Sequence, residues 1–298
     1  MSFNLKQYLK TNKELIDIEL NRYLPNLNEK PSKLHEAMRY SVLSNGKRIR
    51  PILMLETYKA FAGTKNVYPA ALSLELVHCF SLIHDDLPTL DNDDFRRGIP
   101  TCHKKFGNAM ALLAGDALLA HSFYLISTEQ SKYTHSDKIV KLIQELSTGA
   151  STYGITGGQV YDIMAEKGLI EHNEENLKYI HKYKTGSLIK AAIRMGAILA
   201  DASEQELIKV SKAAENVGLA FQIKDDVLDV VGDQQTLGKT IGRDKELGKL
   251  TYVSIFGMEN AISKYQELLK EALQLISFLG AKAETINNLF SFIVNRQY

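Results

Sequence analysis

The sequence predicts an all-α fold, and three observations carry the prediction. All six prolines fall at or before Pro100, so the rest of the 298-residue chain lacks the strongest helix breaker. Apolar residues recur at three- and four-residue steps in one segment after another. Val/Ile/Thr alternation bounded by hairpin turns is nowhere evident.

Taken in order, the first segments with this period are 34–43 and 70–83. The stretch 109–126 is the most apolar, but Asp116 and His121 interrupt it, so a buried helix is expected there rather than a membrane span. Segments 139–146 and 188–199 keep the same period. In 207–231 the start is marked by a capping box, Ser203 with Glu206 three residues on, and Gly232 closes the pattern. Segments 262–279 and 286–294 complete the set. Gly238, Gly242 and Gly248 interleave with Lys239, Lys245 and Lys249, which reads as an ordered loop after the long helix. With no Pro/Gly/Ser-rich linker, low-complexity tract or repeat, residues 1–298 are expected to form a single domain.

Composition narrows the function. Hydrophobic residues at 45% and charged residues at 24% fit a packed globule. Lys plus Arg (36) nearly cancels Asp plus Glu (35), so no global basic field exists to hold nucleic acid. The two cysteines, Cys79 and Cys102, have no zinc-type spacing and cannot build a disulfide framework, which favours a reducing, cytoplasmic compartment. Residues 1–20 are amphipathic and charged, unlike a secretion signal.

Two aspartate clusters point to metal chemistry. Asp85-Asp86 with Asp91, and Asp225-Asp226 with Asp229, each sit near the end of an apolar helical pattern. Two carboxylates about 4 Å apart repel by roughly 4 kcal/mol at an effective dielectric near 20. A divalent cation removes that cost, and hard oxygen ligands suit Mg²⁺ shared with a substrate phosphate. Asp225 and Asp229 stack on one helix face, about 40° apart, whereas Asp226 turns away by about 100° toward a pairing role. Alone, such a string also fits a solvated acidic face; the apolar neighbours Leu219, Ala220, Phe221, Ile223, Val227 and Leu228 argue for burial. An unbroken helix would rotate Asp91 about 120° from Asp85. Pro88 is expected to bulge the chain and return Asp91, although the same residues also fit a helix end followed by a solvated turn.

Cations supply the other half: Lys47, Arg48 and Arg50 after Gly46, Arg96 and Arg97 before Gly98, then Lys184, Lys239 and Lys249. Arginine suits bidentate phosphate contacts, and lysine serves as a point charge. Their placement beside glycines and acidic clusters is what two diphosphates would require, one held through metal and one held directly. His78 reads either as a core histidine or as a ligand. Asp116 reads as a paired buried acid and Cys79 as core filling.

These residues resemble the head-to-tail trans-prenyltransferases, and within them the bacterial farnesyl diphosphate synthases. The matching strings are Gly46-Lys47-Arg48-Ile49-Arg50, the run from His84 to Gly98, Gly157-Gly158-Gln159, Lys184-Thr185-Gly186, the run from Phe221 to Asp229, and Leu237-Gly238-Lys239, in family order over nearly the whole chain. The resemblance implies an isoprenoid-synthase helical bundle around a deep central cavity. It implies about three Mg²⁺, two held by Asp85 and Asp91 and a third by Asp225 and Asp229. Lys47, Arg50, His78 and Arg97 would bind isopentenyl diphosphate. Arg96, Lys184 and Lys239 would contact the allylic diphosphate, and Thr185 and Gln222 would lie beside the developing cation. Metal and cations would stabilise the departing pyrophosphate, the isopentenyl double bond would attack, and a proton would be lost. A homodimer is implied by the resemblance as well.

Product length is expected to depend on Phe80 and Ser81. Ser81 lies one helical turn, about 6 Å, before Asp85, where a growing prenyl tail would meet it. By resemblance, an aromatic residue five before the first aspartate, with a first motif two residues longer, marks enzymes that stop at fifteen carbons. The rival within the class is geranylgeranyl diphosphate synthase. A terpene cyclase would not need the cations from Lys47 to Arg50, and a non-catalytic partner subunit would be expected to lose one acidic motif. Two places depart from the family pattern: Leu250-Thr251-Tyr252-Val253 lacks a proline, and the tail ends Arg296-Gln297-Tyr298.

Overall fold

The structure, a computed structural model, describes residues 4–231 and 250–296. They are almost wholly helical, as the periodicity predicts. The chain divides into two compact units, one of residues 1–55 with 63–146 and one of 56–62 with 147–298.

The first unit begins with α1 (Leu5–Tyr23), whose N-terminus is capped by the Asn4 side chain accepting from the Gln7 amide at 3.1 Å. Its buried residues, Asn12, Ile16 and Leu20, recur every four positions and form one stripe. Then follow α2 (Ser32–Val42), the first residues of α3 (Ile49–Ala60), and α4 (Tyr68–Asp85). Helix α4 is buried on nearly every face from Pro69 to Val77, so it is the central rod of this unit. After it come two short strands, β1 (Phe95–Arg96) and β2 (Ile99–Pro100), paired antiparallel across Arg97-Gly98. The sequence gives no Val/Ile/Thr signal for this hairpin. Its signal is the turn itself, because both central residues take positive φ (54° and 81°), the geometry of a tight two-residue hairpin.

Helices α5 (Cys102–Phe106) and α6 (Asn108–Tyr124) follow, and a π turn (Leu125–Glu129) and a 3₁₀ turn (Gln130–Lys132) extend α6. Among the described residues, only the run Asn108–Lys132 is long and apolar enough to cross a membrane by length and composition. The expectation that the whole stretch is buried needs correcting. One stripe (Ala111, Ala114, Gly115, Leu118) is buried, whereas Leu112 and Leu113 are 47% and 52% exposed. Helix α6 packs against α2, α4 and α5, which leave part of its surface uncovered. Asp116 lies on the open side and is exposed, so it is not the buried acid expected.

In the second unit, α8 (Ile155–Glu166) and α9 (Glu174–Ile180) lead into a π turn (His181–Gly186) that runs on as α10 (Ser187–Leu199). Preceding them in the chain is α7 (Ser136–Ala150). Helix α11 (Glu204–Val231) starts at the predicted capping box: the Ser203 amide donates to Glu206 Oε2 at 2.7 Å and the Glu206 amide to Ser203 Oγ at 3.3 Å. It is about 42 Å long at 1.5 Å per residue. Beyond it are α12 (Tyr252–Phe256), α13 (Met258–Leu275), a 3₁₀ stretch (Ser277–Ala283) and α14 (Glu284–Val294). Gly232, Gly238, Lys239, Gly242, Lys245, Gly248, Lys249, Gln297 and Tyr298, all named in the sequence reading, lie outside the described residues.

Candidate active site

In the first unit the acidic motif closes α4. Asp85 is the last residue of the helix, and past Pro88 the Asp91 amide donates to the Asp85 carbonyl at 2.9 Å. The chain therefore turns back past Pro88 and ties the backbones of the two aspartates together, and it does so as a helix end followed by an exposed turn, the other arrangement those residues allow. Asp85 is half-buried and Asp91 exposed. The negative end of the α4 dipole adds to the demand for a cation at this point. Asp86 turns inward and is 3% exposed, where Arg96 grips its Oδ1 through Nε at 2.6 Å and Nη2 at 2.5 Å. Burial pushes the Asp86 carboxyl up from its ordinary range, and Arg96 pulls it back only in part. Arg96 is thus already neutralised by Asp86, with Asp93 3.6 Å away. Sequence reading put Arg96 on a diphosphate and missed this pairing.

The cation string divides in the same way. Arg48, at φ 53°, points into the core, where its guanidinium holds Glu75 and Asp17, each at 2.7 Å, and the Val42 and Ser44 carbonyls at 2.8 and 2.9 Å. Burial alone would depress this arginine, but Glu75 and then Asp17 raise it above its ordinary value. Arg48 is therefore a structural residue, which corrects its inclusion among diphosphate-facing cations. Arg50, His78 and Arg97 gather instead. A Cβ on Gly46 would lie 2.6 Å from Arg97 Nη1, so the glycine leaves the space that Arg97 fills on its way to Ser44 Oγ at 3.2 Å. Two buried atoms here, Arg50 Nε and His78 Nδ1, have no hydrogen-bond partner. An anion would satisfy the Arg50 Nε–H, and His78 Nδ1 as well in the tautomer that protonates it. Lys47, next in sequence, is exposed.

His78 lies among these arginines, and burial first, then Arg50, Arg97, Arg96 and Arg48, hold it well below the ordinary value of 6.5. It is a neutral ring at physiological pH. Because the folded value is the lower one, the stability it contributes is complete above pH 6.5 and is lost as pH falls toward that lower value, by at most about 1.4 kcal/mol per pH unit. Urea titrations from pH 7 to pH 5 should show wild type losing more stability than His78→Gln. Parallel curves would contradict the assignment.

The second unit carries the π turn His181–Gly186, an irregularity found often at functional sites. Glycines permit its close packing: a Cβ on Gly158 would lie 2.1 Å from the Lys184 backbone nitrogen, and one on Gly218 would lie 2.8 Å from Gly186 Cα. This explains Gly158 of the Gly157-Gly158-Gln159 string, for which the sequence alone gave no role. The turn presents Lys184, ion-paired to the buried Asp162, and Thr185, whose hydroxyl donates to Gln222 Oε1 at 2.8 Å. The structure thus brings Thr185 and Gln222, both expected beside the allylic cation, into contact with each other.

On α11, Asp225 and Asp229 are half-buried and Asp226 is 4% exposed. Asp226 has the pairing role its rotation predicts, since its Oδ2 accepts from the Tyr252 amide at 2.6 Å and lies 3.4 Å from His181 Nε2. Asp225 is ion-paired to Arg296, whose guanidinium also lies 3.7 Å above the Phe221 ring. The sequence reading left this tail residue open. In the structure Arg296 balances the Asp225 charge, and the hard carboxylate oxygens of both motifs are of the donor type that fits Mg²⁺. Among the described residues no three acidic, thiol or imidazole groups already form a metal cage. A Mg²⁺ that takes one or two carboxylates and completes its shell with water and phosphate needs none. Lys239, expected on the allylic diphosphate, lies outside the described residues. The cysteines are inert filling: both are free and buried, and burial pushes the Cys79 thiol up to about 12.

An all-α chain with two acidic motifs at helix ends and a separate cluster of cations defines a diphosphate-handling synthase of the isoprenoid class. Residues 31–289 match the polyprenyl synthetase family, and the chain belongs to it. It is 44% identical over 296 residues to a geranylgeranyl diphosphate synthase of Cyanophora paradoxa, covering 99% of this chain and 97% of that protein. It is 41% identical over 282 residues to the farnesyl diphosphate synthase of Escherichia coli, covering 93% and 94%. Among solved structures, an apo FPP/GFPP synthase from Zymomonas mobilis superposes with a TM-score of 0.86 at 33% identity, covering 99% of this chain and 100% of that one. The fold is that of the isoprenoid synthases, and the chain is a short-chain trans-prenyltransferase. Relatives of similar identity make products of different length by name, so identity alone does not choose between fifteen and twenty carbons.

Proposed function

We propose that this protein condenses isopentenyl diphosphate with dimethylallyl and then geranyl diphosphate to give farnesyl diphosphate and pyrophosphate. The observation that carries the reading is the Arg50–His78–Arg97 cluster with its unpartnered Arg50 Nε and His78 Nδ1, a seat for a diphosphate bound without metal. The carboxylates of Asp85 and Asp91, and those of Asp225 and Asp229, would hold Mg²⁺, which would supply positive charge to the allylic diphosphate. Lys47, Arg50, His78 and Arg97 hold isopentenyl diphosphate, His78 as a neutral hydrogen-bonding ring. Lys184, released from Asp162, takes charge on the leaving diphosphate with Lys239, and Arg96 acts chiefly by holding Asp86 in place. The Thr185 hydroxyl and Gln222 carbonyl direct oxygen lone pairs toward the allylic cation. The lost proton goes to a base, for which the departing pyrophosphate is a candidate.

The fifteen-carbon product is supported by Phe80, half-buried one turn and a half before the metal end of α4, beside the buried Ser81. The alternative is a geranylgeranyl diphosphate synthase, favoured by the 44% identity to such an enzyme. Chain-length analysis of products from isopentenyl and dimethylallyl diphosphate tests the choice: fifteen carbons supports it, and twenty as the main product overturns it. Phe80→Ala should shift the main product to twenty carbons or longer, read by the same analysis, and Ser81→Phe should shorten it. A cytoplasmic site fits the two free, buried thiols, and self-association as a homodimer fits the exposed Leu112 and Leu113 of α6. No nucleic-acid or membrane-inserted partner is proposed. Sedimentation of the purified protein tests the dimer.

A further inference from the structure

Phe80 has a neighbour that the reaction does not use. Four residues on, on the same face of α4, stands His84. The two rings meet edge to face, with centroids 5.0 Å apart and planes at 76°. The imidazole is itself fixed from α6: its Nε2–H donates to the Leu112 carbonyl at 3.1 Å, and Asp116 Oδ1 lies 3.8 Å away. Gly115 is what makes room for it. A Cβ at Gly115 would fall 2.2 Å from His84 Nε2 and 2.4 Å from Cδ2, so no side chain is compatible with the ring where it lies. An aromatic stop that sets product length must keep its ring in one place while a prenyl tail presses on it. Phe80 is half-buried, and the edge of the His84 ring is a contact that holds it.

We propose that His84, seated in the space left by Gly115, is a positioning residue that fixes the Phe80 ring and so sets the length of the product. The proposal rests on the reading of Phe80 as the chain-length stop. A methyl group at position 115 displaces the imidazole, which breaks the bond to Leu112 and frees Phe80 to move aside. Chain elongation then continues by one further isoprene unit.

The test is product analysis of four purified variants beside wild type, with thermal unfolding of each. Phe80→Ala examines the underlying reading. Gly115→Ala and His84→Ala should each raise the ratio of twenty- to fifteen-carbon product, on the order of tenfold, the scale on which apolar packing discriminates small differences in chain. In the double variant Gly115→Ala/His84→Ala the new methyl fits the vacated space, so the unfolding temperature should return toward wild type while the product stays long. Recovered stability with a long product separates positioning from general damage. If Phe80→Ala lengthens the product while Gly115→Ala, His84→Ala and the double variant keep the wild-type distribution, this inference fails and the reading of Phe80 stands. If Phe80→Ala leaves the distribution unchanged, both fall together.

Discussion

Replacing Asp85 by asparagine is expected to lower kcat roughly 10²–10³-fold, about 2.7–4 kcal/mol of transition-state stabilisation, with little change in the far-UV spectrum or unfolding temperature. The side chain is half-buried at the last residue of α4, where the negative end of the helix dipole and the nearby Asp91 both favour a cation beside the carboxylate. Asparagine keeps the shape and removes the charge that recruits a cation. Steady-state kinetics with saturating substrates and excess Mg²⁺ checks this. A variant within a few-fold of wild type would mean that Asp85 holds no metal and that the first acidic motif has been misread.

The second large effect concerns stability. Arg48→Met should lower the unfolding free energy by about 3–5 kcal/mol, the usual result of removing one partner of a buried ion pair. The Arg48 side chain is 0% exposed and that of Glu75 2%, so the methionine leaves a carboxylate stranded in the core with no water to reach it. Asp17, 28% exposed, adds less because solvent screens it. Urea unfolding gives the number, and Arg48→Met/Glu75→Leu should recover much of the loss by removing the stranded charge as well. A loss under about 1 kcal/mol for the single variant would show that the pair is not the internal brace described here.

These two residues mark where the sequence was legible. Periodicity and proline placement predicted the helices because core-facing stripes are a one-dimensional signal, as in the four-residue spacing of Asn12, Ile16 and Leu20. Local chemistry predicted the Ser203–Glu206 cap, a break in the helix at Pro88 and the inward turn of Asp226, since each depends on neighbours within a few residues. What failed depends on contacts distant in sequence. Nothing near Arg48 in the chain announces Glu75, and nothing near Asp225 announces Arg296. Arg48 and Arg50 look alike in the sequence; only the fold sends one to Glu75 and leaves Nε of the other without a partner. Asp116 failed for a related reason, because an apolar sequence neighbourhood does not say which face of α6 is covered. The glycines carried an unread signal: Gly46, Gly115 and Gly158 each stand where another residue's atoms occupy the position of a side chain.

The central claim is that the acidic motifs work through a divalent cation to draw pyrophosphate off an allylic diphosphate. Its most direct test is pyrophosphate release from isopentenyl plus geranyl diphosphate by the purified protein, followed with and without Mg²⁺. The account predicts release that requires both substrates, ceases on chelation with EDTA and returns when Mg²⁺ is restored. Release that persists at full rate in EDTA, or none with Mg²⁺ and both substrates present, would contradict it.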